Sequence, residues 1–150
     1  LLSRGLGDVY KRQKKKIQRN FRTTAKPPEP KDDLLIMKKT REMIAYGNEC
    51  LYNKQFPRNR RVGNTIGAQI EKTMYEILEG LSEAAKKEHK KTTLTQVDAK
   101  IYYLRQLLMA AVDPKMNTKG VLIPLDDQRR WCEKLEEMGK ILGSWLNKLK

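Results

Sequence analysis

The chain has 150 residues, with 32 Lys+Arg against 18 Asp+Glu and a formal net charge of +14. That length holds one sizeable hydrophobic core rather than two, and no stretch approaches the roughly 18 unbroken apolar residues of a membrane span or the apolar centre of a signal peptide. Two cysteines are too few for a disulfide framework, which points to a reducing cytoplasmic setting, and so large a positive excess points to an anionic partner, nucleic acid first.

The stretch Ser3-Arg4-Gly5-Leu6-Gly7-Asp8-Val9-Tyr10-Lys11-Arg12-Gln13 matches the translation of a transposon-end sequencing adapter and is set aside from fold reasoning. Arg4, Lys11 and Arg12 against Asp8 give it a net charge of +2, leaving +12 on the rest. From Lys14 to Lys31 the chain is basic, and Pro27-Pro28-Glu29-Pro30 cannot continue a helix. Residues 1–31 are therefore expected to be a disordered basic tail, serving either as a polycation arm or as nothing more than a tail.

Four amphipathic helices are expected over 32–150. Asp32-Asp33 can cap the first, which runs from about Leu34 to Asn53 with Ile36, Met43, Ile44, Gly47, Cys50 and Leu51 near one face. Phe56-Pro57 breaks it. A second helix starts between Arg58 and Asn64 and reaches about Lys87, carrying the stripe Ile66, Ile70, Met74, Ile77 and Leu81. Thr93-Leu94-Thr95-Gln96 has capping-box spacing and is expected to open a third helix, with Val97, Ile101, Leu104, Leu108 and Ala111 inward, ending at Asp113-Pro114. After a loop, Asp126-Asp127 opens the fourth, where Trp131, Leu135, Met138, Leu142, Trp145 and Leu149 repeat at fours and threes. The short apolar run Val121-Leu122-Ile123 lies between Gly120 and Pro124 and has no strand partner. The fold class is all-α, an antiparallel up-down four-helix bundle.

No catalytic constellation emerges. His89 is the only histidine and sits among lysines, so the Glu-x-x-His pairs of a di-iron bundle are missing. No P-loop, dinucleotide fingerprint or serine elbow is present. Cys50 and Cys132 read as small buried groups. No catalytic residue, metal or cofactor is expected. What remains is basic surface: Arg58, Arg60 and Arg61 at the start of the second helix, Lys86, Lys87, Lys90 and Lys91 at its end, and Arg129 and Arg130 in the fourth. Such clusters contact phosphates without reading bases. Arg105, beside the core stripe of the third helix, either pairs with Asp98 or faces a functional surface or channel. The i,i+4 pairs Gly63/Gly67 and Gly139/Gly143 each cost stability inside a helix, roughly 1 kcal/mol per glycine, and suggest close packing.

Phe56-Pro57-Arg58, Thr65-Ile66-Gly67, Ile70, Tyr75, Leu78-Glu79-Gly80-Leu81, Asp98, Leu104-Arg105 and Gly139-Lys140-Ile141-Leu142-Gly143-Ser144-Trp145 follow one another in a familiar order. Over about Leu34 to Leu149 the chain resembles the Avd family, the accessory variability determinants of diversity-generating retroelements. More distantly it resembles the four-helix bundles named for ribosomal-RNA intervening sequences, an alternative whose members have no known role and whose partner would be RNA. The Avd resemblance implies a non-catalytic, bacterial or phage-encoded protein that assembles as a basic homopentamer. It implies binding to the retroelement's reverse transcriptase and to RNA or DNA during mutagenic copying, with Arg105 at a position tied to partner binding. A second family arginine falls near Met109 here, so that part of the basic patch is not reproduced. Deleting residues 1–31 is expected to leave the melting temperature unchanged within error; a large drop would show the tail to be a docked element.

Overall fold

In a computed structural model, the structure describes residues 34–149; the expectations for the tail and for capping by Asp32-Asp33 lie outside the described residues. Helix α1 spans Leu35–Asn48 and continues into a π-helical turn, Glu49–Asn53. Helices α2 (Arg61–Lys86), α3 (Lys91–Val112) and α4 (Leu125–Lys148) follow. Each helix packs on its neighbour in the chain and α4 closes on α1, an all-α four-helix bundle with no strand among the described residues.

The apolar stripes become the core. Met43 from α1, Ile70, Met74, Ile77 and Leu81 from α2, Leu94, Leu104 and Leu108 from α3, and Trp131, Leu135, Met138 and Leu142 from α4 are fully buried. Burial of these side chains, not intrinsic propensity, supplies most of the drive to hold four helices together. Gly47 is the tightest point among them: a Cβ there would lie 2.5 Å from Met74 Sδ and 2.7 Å from Trp131 Cζ2. Only a glycine lets α1 come this close to α2 and α4.

Several local expectations are corrected. Helix α1 does not stay α-helical to Asn53: the amide of Lys54 donates to the carbonyl of Glu49 at 3.0 Å, a five-residue step that widens the turn while both Cys50 and Leu51 remain buried. Helix α3 starts at Lys91, two residues before the proposed capping box, and no side chain caps it. Thr93 is instead buried inside the first turn, accepting a hydrogen bond from Lys87 Nζ at 3.3 Å. The residues before it are polar and their free N–H groups face water, so the helix extends without a cap. In α4 the stripe runs out at its end. Trp145 is half-buried, with Lys90 Nζ 5.6 Å from its ring centre, and Leu149, past the last helical residue, is 39% exposed.

The glycine pairs diverge. A Cβ at Gly63 would sit 2.1 Å from the carbonyl oxygen of Pro57, and one at Gly67 would sit 3.0 Å from the Phe56 ring. This pair is the seat on which the Phe56-Pro57 turn rests. Gly139 and Gly143 have nothing within 4 Å of a would-be Cβ, so within the chain their close-packing role is not met.

The loop after α3 is more ordered by the core than its sequence suggests. Asn117 is buried and its Nδ2 donates to the carbonyls of Ala110 (2.7 Å) and Asp113 (2.9 Å), tying off the end of α3. The amide of Leu122 then donates to Ala111 at 2.8 Å, and Leu122 and Ile123 join the core. The run Val121-Leu122-Ile123 is therefore a plug over one end of the bundle. Trp131→Ala is expected to cost about 3–5 kcal/mol in denaturant unfolding, while Trp145→Ala, at a half-buried site, costs clearly less; equal losses would mean that the end of α4 is buried by something further.

Candidate nucleic-acid and partner interface

The bundle has two ends, and the predicted cations divide between them. At one end the residues following α1, the start of α2, the end of α3 and the start of α4 meet, and this end holds Arg58, Arg60 and Arg61. At the other lie Lys86, Lys87, Lys90 and Lys91, around the turn that joins α2 to α3. The 26 residues of α2 separate the groups by about 39 Å along the axis. One phosphate-binding cluster does not contain both.

Each cation has its own surroundings. The guanidinium of Arg58 lies 5.1 Å from the Tyr52 ring centre and donates to Glu71 Oε2 at 3.3 Å, while the Tyr52 hydroxyl donates to Glu71 Oε1 at 2.5 Å. The Tyr52 hydroxyl first, and Glu71 after it, raise the pKa of Arg58 above its ordinary value. Arg58 thus holds the turn onto α1 and α2. Arg60 Nη1 donates to the carbonyls of Lys119 (3.0 Å) and Gly120 (3.4 Å), tethering the loop after α3. Arg61 is exposed in the first turn of α2. At the far end Lys87 pairs with Glu83 at 2.6 Å and Lys90 rests on Trp145, whereas Lys86 and Lys91 are exposed and make no ion pair among the described residues. Surface pairs of this kind hold their lysines only weakly, so all four ammonium groups can turn toward an anion.

Arg105 does not pair with Asp98. It is exposed on α3 and lies close enough to Cys132 of α4 to oppose the rise in that thiol's pKa, which burial causes. Of the two readings left open by the sequence, the structure takes the surface one. Tyr102, 65% exposed, and Met109, 55% exposed, stand one turn to either side on the same stripe.

One polar cluster was not legible beforehand. Lys54, just past the π turn, pairs with Asp127 Oδ1 at 2.9 Å, and the Tyr46 hydroxyl donates to the same oxygen at 3.3 Å. The Tyr46 ring packs edge-on to Trp131, with centroids 6.2 Å apart. The hydrogen bond from Lys54 is the main cause holding Asp127 below the ordinary carboxylate range. Burial lifts the Tyr46 phenol and the Cys50 thiol, so both stay protonated at neutral pH and neither supplies a nucleophile. Asp127 is recognisable from sequence as a helix-start acid; its ion pair spans 73 positions and leaves no local signature.

These features define a class of protein: a four-helix bundle with cations displayed at its ends and on α3. Among the described residues it has no group of three or more His, Cys, Asp or Glu that could hold a metal and no helix long and apolar enough to cross a membrane. The family model described as bAvd-like matches residues 34–149, and the chain belongs to this bAvd-like family. No curated protein and no solved structure matches it.

Asp127 carries the pH dependence of the cluster. Its folded-state pKa lies below the ordinary 3.8, so its contribution is complete above that value and is lost as pH falls through the lower folded-state pKa. Asp127→Asn should destabilise the protein by about 1–2 kcal/mol at pH 7. The difference from wild type should shrink on acidification below 3.8; urea titrations at pH 7 and pH ~2.5 measure it, and a constant difference would show that the carboxylate's charge is irrelevant.

Proposed function

We propose that this protein is the accessory protein of a diversity-generating retroelement, without catalysis of its own, and that it binds the element's reverse transcriptase and nucleic acid to support mutagenic copying of template RNA into cDNA. The observation that carries this reading is family membership over the whole described bundle. The +12 charge outside the adapter-like stretch and the exposed lysines and arginines support the nucleic-acid half, because cations near a polyanion gain from counterion release whatever the base sequence. The exposed Arg105, free of Asp98, supports the partner half.

Assembly belongs to the same reading. A homopentamer repeats each basic patch around one axis and concentrates the field. Bringing like charges together costs energy, so apolar contacts must hold the ring. Leu34, Leu35, Ile141 and Trp145 line an open groove between the start of α1 and the end of α4, and the smooth Gly139/Gly143 surface of α4 is not used within the chain. A bacterial or phage-encoded, cytoplasmic protein is the corresponding setting.

Arg105→Ala is expected to weaken co-purification with the reverse transcriptase encoded beside it while leaving helicity and oligomer size by light scattering unchanged; an unfolded variant would make the arginine structural. Binding to a single-stranded oligonucleotide should show little sequence preference. If about four phosphates are contacted, affinity should fall roughly fifty-fold between 50 and 200 mM salt. Salt-independent binding would remove the electrostatic basis of the reading.

A further inference from the structure

Beside the plug that closes one end of the bundle lies a pocket of about 360 Å³, at the small end of the range for ligand sites, roughly 300–1,000 Å³. Asn59, Arg60 and Arg61 form one wall, and Asn117, Thr118 and Lys119 form the other. Three of these side chains are cationic, and no carboxylate lines the pocket. The start of α2 is part of the wall, and this 26-residue helix has neither a side-chain cap nor an acidic residue in its first turn. Its first N–H groups and the positive end of its dipole are thus left for an anion.

A second, independent feature specifies more than an anion. Asn117 is only 6% exposed. Its Nδ2 is spent on the end of α3, but no group of the chain donates to its Oδ1. A buried acceptor without a donor is costly, and Asn117 lines this same pocket. An ionised phosphate has only acceptors and cannot satisfy it. A ligand that joins a phosphate to a hydroxyl can.

Arg60 is also set for the task. Its contacts with Lys119 and Gly120 use one terminal nitrogen and fix the guanidinium, while the remaining donors of the fork stay available. A phosphate monoester carries about −1.5 to −2 charges at neutral pH and offers an oxygen to each of several donors. A backbone diester carries one charge and is hemmed in on both sides, so the pocket favours an end over an interior phosphate.

We propose that this pocket binds a ribonucleotide 5′-phosphate, with Arg60, Arg61, Lys119 and the start of α2 on the phosphate and Asn117 Oδ1 accepting from a ribose hydroxyl. The ligand is either a free nucleotide or the 5′-phosphorylated end of an RNA, and the second source rests on the nucleic-acid reading above.

Calorimetry with adenosine 5′-monophosphate and anisotropy with two RNAs of one sequence, 5′-phosphorylated and 5′-hydroxyl, test this on the full chain. The monophosphate should bind, its 2′-deoxy form more weakly. The phosphorylated RNA should bind about tenfold tighter than its hydroxyl twin. Arg61→Gln and Lys119→Gln, both exposed, should abolish that preference, whereas Lys86→Gln at the opposite end should weaken both RNAs alike. Monophosphate binding without any RNA binding supports the pocket with the free nucleotide as its ligand and rejects the nucleic-acid reading. Equal binding of the two RNAs with no monophosphate binding overturns the pocket and leaves the nucleic-acid reading intact; absence of all binding overturns both.

Discussion

The approach of α1 to α2 and α4 at Gly47 is the constraint on which the rest of the structure turns. Met74 and Trp131 fill the space where a side chain would be, so the first helix is drawn onto the other two at one fixed height. Around this point Tyr46 meets Trp131 edge-on, and its hydroxyl, with Lys54, holds Asp127 at the start of α4. A larger residue at position 47 would push α1 away, overpack the core and loosen both the π turn and the polar cluster that follow it. The same set of contacts brings the Phe56-Pro57 turn down onto Gly63 and Gly67, and with it the arginines of the following segment.

Charge is distributed in the opposite way. The core is apolar, and the basic residues lie outside it, at the ends and on exposed helix faces. Binding capacity and stability are thereby carried by different side chains. Arg58 and Arg60 are exceptions, since each spends part of its guanidinium on holding a loop. Such residues fix the shape of the surface that the freer cations decorate. In a homopentamer, as proposed, the separation would let a strongly cationic assembly persist, because repulsion acts between exposed and salt-screened groups while packing acts in the dry interior.

The inward stripes of all four helices were legible in the sequence because helical periodicity is local: Ile66, Ile70, Met74, Ile77 and Leu81 announce a face without reference to any other segment. Trp145 and Leu149 show the limit of that reading, since a perfect repeat continues beyond the point where another helix covers it. The Thr93 capping box failed for a related reason: its spacing is correct, but solvated residues ahead of it allow the helix to begin earlier. Nothing local reveals that Arg60 ties down a loop 59 residues away or that Lys54 meets Asp127. Arg105 was singled out as anomalous, and its surroundings could be decided only once α3 and α4 were placed side by side. The candidate interface was thus legible as a list of cations, not as two separate ends with different degrees of freedom.

The separation of binding from stability is tested most directly by neutralising the cations of one end together. The variant Lys86→Gln, Lys87→Gln, Lys90→Gln, Lys91→Gln leaves every core residue in place and removes four positive charges from exposed or half-buried positions. Its unfolding midpoint in denaturant should stay within about 0.5 kcal/mol of wild type per substituted surface site, and its affinity for RNA at low salt should fall at least tenfold. A protein that unfolds, or one that binds RNA as tightly as before, would contradict a bundle whose packing makes the fold and whose exposed charge makes the contact.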